Sequence, residues 1–202
     1  MIKNVVFDFG QVLVRFDPRY MCEVYVSDKN DVRQLSEVVF DRLYWDRLDA
    51  GTISDDELLS DVKKRLPERL HAAAERIYRG WLYNLPEIPG MREAIAICRE
   101  RGFGVYLLSN ISETFAEHYR EIPILEGFDG YVFSAVAGCV KPSAEIFRHL
   151  CDKFELTPCE TLFIDDSLKN INGADKFGIV AYHFDGDAEV LCTYLKGLPA
   201  AK

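Results

Sequence analysis

Positive charge is scarce in this 202-residue chain: 24 lysines and arginines against 33 aspartates and glutamates leave a net charge of −9. That balance argues against nucleic acid or an anionic membrane as the main partner, because the global field repels polyanions. An anionic small molecule would need a local cation. No apolar stretch approaches the ~18 residues of a membrane-spanning helix, and only one lysine and a short apolar run precede Asp8, so no secretory leader is expected. The six cysteines (Cys22, Cys98, Cys139, Cys151, Cys159, Cys192) form no CxxC pair and sit mostly in apolar stretches such as "AIAIC" and "FRHLC". Reduced thiols in the core of a cytoplasmic protein are the expectation. His71, His118, His149 and His183 lack ligand spacing and receive no role. Repeats, low-complexity tracts and long linkers are missing too. With 49% hydrophobic and 28% charged residues, what remains is a folded soluble protein with one large core, or a core plus a small lobe.

The chain opens with "NVVFDFGQVLV", an apolar strand (Val5, Val6, Phe7) that ends in a carboxylate, Asp8, followed by Gly10. An ionised group there is costly unless it is paired or bound to metal. Asp17–Pro18 then signals a helix start, an N-cap acceptor followed by proline at N1. From there to about Leu85 the pattern is helical. "ISDDELLSDVKKRL" has Ser54 and Glu57 in capping-box spacing, and "ERLHAAAERIYRGWLYNL" reads as a further helix. From Pro86 helices alternate with strands: "GVYLLSN", "DGYVFS", "TLFIDD" and "GIVAYHF" join the first to make five. The expected fold is α/β, a Rossmann-like parallel five-stranded sheet sandwiched by helices. Residues 1–15 and 86–202 should form this core, with residues 16–85 a small helical cap inserted after the first strand.

Ligands of open parallel sheets bind at the carboxyl ends of strands. Asp8, the pair Ser109–Asn110 and the pair Asp165–Asp166 each end a strand, and Lys141 precedes a helix in the loop after the third. Taken singly, Asp8 could be a turn residue, Ser109 a helix cap and Lys141 a solvated surface group. Adjacent acids that end an apolar strand repel each other unless a cation neutralises them, and hard oxygen ligands suit Mg²⁺. Together the set points to phosphoryl transfer. A carboxylate attacks phosphorus, acids hold Mg²⁺, Ser109 and nearby N–H groups bind phosphate oxygens, and Lys141 supplies positive charge.

The segments "FDFGQVLV", "LLSN", "KPSAEIF" and "FIDDS", in this order and spacing, resemble the haloacid dehalogenase-like (HAD) hydrolase superfamily over nearly the whole chain. "DFG" and "DAGTISDDEL" resemble its α-D-glucose-1-phosphate phosphatase branch. The resemblance implies that Asp8 is both nucleophile and Mg²⁺ ligand, with Asp166 a second ligand and Asp165 beside it. Ser109 and Asn110 would bind phosphate, Lys141 would bridge nucleophile and phosphate, and Asn170 would lie near the metal. Most superfamily phosphatases carry a second aspartate, the general acid, where this chain has Gly10. Glycine keeps the backbone carbonyl that ligates metal and loses the acid, a loss that matters least when the leaving group is good, as in a hexose 1-phosphate.

The expected function is an Mg-dependent phosphatase hydrolysing small phosphomonoesters through an aspartyl-phosphate on Asp8. Two alternatives use the same residues: a 2-haloacid dehalogenase that needs no metal, and a catalytically impaired HAD-like binding or regulatory module. The acid pair Asp165–Asp166 speaks for phosphate. Tyr44, Trp45, Arg47 and Asp49, just before "GTIS", are the candidate substrate contacts of the cap, although aromatics at helical spacing also suit a core. The expected partner is a phosphorylated small molecule, with the protein a monomer or weak homodimer.

Overall fold

Alternation within the first strand sets the architecture. The computed structural model describes residues 1–201. In β1 (Asn4–Phe7), Val5 and Phe7 point into one apolar cluster and Val6 into a second on the opposite face. A strand buried on both faces belongs at the centre of a parallel sheet. It pairs on one side with β2 (Gly104–Ser109), which pairs with β3 (Gly130–Phe133). On the other side it pairs with β4 (Thr161–Asp165), which pairs with β5 (Val180–His183). All pairs are parallel, in the order β3-β2-β1-β4-β5. The register sets Phe7 against Leu107 and Ile164, so Asp8 leaves the sheet level with Asp165 at its carboxyl edge.

Between β1 and β2 run α1 (Pro18–Glu23), α2 (Lys29–Val39), α3 (Arg42–Asp49), α4 (Asp55–Arg65), α5 (His71–Gly80) and α6 (Met91–Glu100). The start signals act as anticipated. Asp17 accepts hydrogen bonds from the amides of Arg19 and Tyr20 ahead of α1, and Ser54 and Glu57 close a capping box on α4. Each such cap is worth ~1 kcal/mol. The stretch anticipated as one helix after Pro67 is instead broken into a 3₁₀ turn (Glu68–Leu70), α5 and a second 3₁₀ turn (Trp81–Tyr83). Gly80 marks the second break: a Cβ there would lie 2.0 Å from Tyr25 Oη, and Asn84 ties that hydroxyl to the Gly80 carbonyl.

Beyond β2 come α7 (Glu113–His118), α8 (Ser134–Ala137) after β3, α9 (Ala144–Phe154), α10 (Leu168–Phe177) after β4 and α11 (Ala188–Gly197) after β5. Residues of α6, α7 and α11 join the cluster on the Val5–Phe7 face, and residues of α9 and α10 join that on the Val6 face. The buried side chains of α1–α5 are continuous with the first of these clusters, so the inserted helices share the core of the sheet. Cys22, Cys98, Cys151 and Cys192 are buried free thiols, Cys139 is half-buried and Cys159 exposed. Among the described residues no helix is long and apolar enough to cross a membrane.

Candidate active site

Strand ends bring the polar residues together. Lys141, 4% exposed, reaches from the loop before α9 to a point 2.8 Å from Asp8 Oδ1 and 2.7 Å from Asp165 Oδ2. Asn110, after β2, holds the lysine backbone: its Oδ1 accepts from Lys141 N–H at 2.8 Å, and its Nδ2 donates to the Lys141 carbonyl at 3.1 Å. Asp165, fully buried, also accepts from the Ser167 amide and the Asn170 side chain. Asp8 accepts from the Phe9 amide at 2.7 Å. His183, to which the sequence assigned nothing, lies 2.9 Å from the Asp166 carbonyl.

Burial dominates the electrostatics. It pushes the Asp8 carboxyl up to about 7, with Lys141 pulling it down and Asp165 pushing it further up. Burial opposes the charge of Lys141, yet the carboxylates of Asp8 and Asp165 outweigh it and hold the ammonium above the ordinary lysine value. Asp166 is raised by burial and then by its neighbour Asp165. One ammonium thus faces a cluster of three acids, and a second cation would relieve the excess.

The donor set fits a hard divalent cation. One oxygen from each of Asp8, Asp165 and Asp166 lies within 4.8 Å of the others, a spacing open to an Mg²⁺ that keeps several waters. Among the described residues no backbone amide or side chain donates to the Gly10 carbonyl, whereas the Phe9 carbonyl beside it receives three amides. A free carbonyl at that position is one more available oxygen.

These residues open onto a cavity of about 340 Å³ lined by Asp8, Gly10, Ser109, Asn110, Lys141, Asp166 and Asn170 on the sheet side. Phe16, Arg42, Trp45, Asp49 and Trp81 line the other side. Trp45 stacks edge-on with Phe16 and Trp81 at 5.2 and 5.1 Å between centroids, and its Nε1 donates to the Val39 carbonyl at 2.7 Å. Ser109, a buried residue at the end of β2, lines the same cavity.

Two anticipated substrate contacts on α3 lie elsewhere. Arg47 and Tyr44 line a different hollow, formed with Glu57, Asp61 and Lys64, and do not reach this cavity. On α3 the positions 42, 45 and 49 share one face, while 44 and 47 look the other way. Arg42 is therefore the arginine at the site. The Asn110 side chain holds the backbone of Lys141 through Oδ1 and Nδ2, and the residue lines the cavity. Helical period groups Arg42 with Trp45 and Asp49 but does not say that their face meets the cavity, and nothing local marked Phe16, Trp81 or Lys169, which the tertiary fold delivers to the lining.

A parallel sheet that gathers acids around one buried lysine at its carboxyl edge is equipped for carboxylate-nucleophile hydrolysis. Residues 2–178 match the haloacid dehalogenase-like hydrolase family, and the chain belongs to that family. Its curated relatives include a sesquiterpene phosphatase of Aspergillus oryzae, 28% identical over 97% of this chain and 96% of the relative. Another is a D-ribitol-5-phosphate phosphatase of Bacteroides thetaiotaomicron, 26% identical over 94% and 95%. Among solved structures, an HAD family enzyme of Bacteroides thetaiotaomicron in complex with magnesium and inorganic phosphate superposes with a TM-score of 0.66. It is 22% identical, with 92% of this chain and 96% of that one covered, and it shows that the fold is shared.

Proposed function

We propose that this protein is a magnesium-dependent phosphatase that hydrolyses small phosphomonoesters through an aspartyl-phosphate on Asp8. The observation that carries the reading is the acid cluster around Lys141, which combines a nucleophile, a cation-holding oxygen set and a phosphate-binding charge at one strand edge. Asp8, Asp165, Asp166 and the Gly10 carbonyl would hold Mg²⁺, which when bound neutralises the phosphate and the acids around it. Asp8 attacks phosphorus from the end of β1. Lys141, anchored by Asn110, keeps the Asp8 oxygen oriented and balances the charge of the transferred group. Ser109 offers a hydroxyl to a phosphate oxygen. Asn170 fixes Asp165.

The leaving group lies toward the helices, and residues 16–85 act as the cap that selects it and excludes water. Arg42, Trp45, Asp49 and Trp81 present a charged rim over an aromatic wall, which suits a sugar ring with hydroxyls at its edge. Hexose 1-phosphates are the first substrates to try. The same wall of Phe16, Trp45 and Trp81 favours, as a second reading, an apolar organic phosphate of the kind named for the fungal relative. Dehalogenation is the poorer reading, since displacement at carbon has no use for the third acid, Asp166.

The test is phosphate release from a panel of hexose 1-phosphates, pentitol phosphates, phosphoglycolate and a prenyl monophosphate, with Mg²⁺ and with EDTA, alongside Asp8→Asn. Release that requires Mg²⁺ and vanishes in the variant supports the reading. Turnover of 2-haloacids in EDTA, or Mg²⁺ binding without turnover of any phosphate, overturns it.

A further inference from the structure

Gly10 leaves the site without an acid on the nucleophile loop, and the opposite wall of the cavity holds one carboxyl that no structural interaction uses. Asp49, the last residue of α3, lines the same cavity as Asp8 and Gly10. It is 9% exposed, and among the described residues its carboxylate accepts no hydrogen bond and joins no ion pair. Buried carboxylates normally find partners, and one that faces a reaction cavity without any is available for chemistry. Arg42, on the same helix face, is engaged with Asp46 at 2.6 Å instead.

The position of Asp49 is fixed from the sheet side. Ser134 Oγ, at the start of α8 directly after β3, donates to the Asp49 carbonyl at 2.6 Å and accepts from the Ile111 amide at 2.8 Å, just beyond Ser109 and Asn110. The turn that follows is pressed against α8: a Cβ on Gly51, whose φ is +66°, would lie 2.9 Å from the Ala135 carbonyl. Although Asp49 belongs to the inserted helices, its backbone is tied through Ser134 to the segment after β2 that follows Ser109, and β2 pairs with β1, the strand that leads into Asp8.

We propose that Asp49 is the acid–base catalyst of this site and takes over from the far wall the proton transfers that Gly10 cannot perform. The proposal rests on the phosphatase reading above. As Asp8 Oδ bonds to phosphorus, the bond from phosphorus to the leaving oxygen breaks, and the Asp49 carboxyl gives its proton to that oxygen. The resulting Asp49 carboxylate then takes a proton from water as the water oxygen bonds to phosphorus. The Asp8–phosphorus bond breaks, inorganic phosphate leaves, and both residues return to their starting states. Burial pushes the Asp49 carboxyl up to about 7, with Arg42 and Lys141 opposing and Asp46 and Asp8 reinforcing the rise, so both forms are populated near neutrality.

The test compares wild type with Asp49→Asn and the smaller Asp49→Ser, each checked for folding by circular dichroism and for Mg²⁺ binding by calorimetry. Steady-state release from an alkyl phosphate is expected to fall ~10²–10⁴-fold. With para-nitrophenyl phosphate, whose anion departs without a proton, the variants should give a burst of nitrophenolate equal to the enzyme. A phosphoenzyme on Asp8 should then persist, visible by intact mass. Wild-type turnover in the variants overturns the assignment, as does a loss confined to KM, or an equal loss on both substrates without a burst. A wild-type protein that releases phosphate from nothing in the panel overturns the phosphatase reading and this one together, whereas an active enzyme indifferent to Asp49 overturns this one alone.

Discussion

Lys141 Nζ lies 2.8 Å from Asp8 Oδ1, and both groups are buried at the carboxyl edge of the sheet with Asp165 on the lysine's other side. Removing one partner from such a cluster leaves uncompensated charge away from water, which costs about 3–5 kcal/mol. Lys141→Met keeps most of the packing and removes the ammonium. It is expected to abolish phosphate release and to lower stability by that amount in EDTA, with part of the loss recovered by Mg²⁺. Denaturant unfolding with and without the metal measures this, and a variant as stable as wild type in EDTA would show that the pair carries little of the fold.

Arg42 and Arg47 lie on opposite faces of α3, and only the first borders the cavity. Arg42→Ala should raise KM for the preferred phosphate several-fold, as befits a rim charge worth ~1 kcal/mol in solvent. Arg47→Ala should leave both kinetic constants unchanged. A reversed pattern would place the substrate in the outer hollow.

The contrast between those arginines shows where the sequence was legible. Asp8, Ser109, Asp165 and Asp166 were readable because each ends an apolar run, and in a parallel sheet run ends share one edge. Helix starts at Asp17 and Ser54 were readable from local capping chemistry. The cap residues had no such marker: helical period says that 42, 45 and 49 share a face, but not that this face meets the cavity rather than the solvent. The role of Asn110 depended on a loop 31 residues away. The break at Gly80 depended on Tyr25, a contact invisible in a segment that otherwise reads as one helix.

Two glycines separate steric need from chemical choice. A Cβ at Gly10 would meet only Phe16 Cβ, at 4.0 Å, whereas one at Gly80 would collide with Tyr25 Oη. Gly10→Ala is expected to unfold within ~0.5 kcal/mol of wild type. Gly80→Ala should lose ~1–3 kcal/mol through overpacking and the displaced Tyr25–Asn84 hydrogen bond, despite alanine's better helix propensity. Paired unfolding curves decide it. Strong destabilisation by Gly10→Ala would mean that the glycine is there for its backbone rather than for the absent side chain.

Metal and proton compete for the same oxygens. Because burial holds the Asp8 carboxyl near 7 without a cation, Mg²⁺ must displace a proton below that pH and meets a carboxylate above it. Affinity measured by calorimetry should rise from about pH 6 to about pH 8, with proton release at the lower value. Saturation at ~100 times Kd should add ~2.7 kcal/mol to stability. An affinity flat across this range would place the ion away from Asp8.

Asp49 should work against the fold it serves. Its carboxyl is raised from 3.8 to about 7, so the folded state holds the proton more tightly than the unfolded state does. Stability from this group is therefore full below about 3.8 and is lost as pH rises through about 7. The loss amounts to at most ~4 kcal/mol. Asp49→Asn removes that penalty without removing a partner, since the carboxylate is bonded to none among the described residues. In metal-free protein the variant should match wild type at about pH 4 and exceed it at about pH 8, while a residual slope from Asp8 persists in both. An inert structural carboxylate would lose stability on substitution at either pH. A gain confined to high pH, in a variant that has lost turnover, is the signature of a group kept for its proton at the expense of stability.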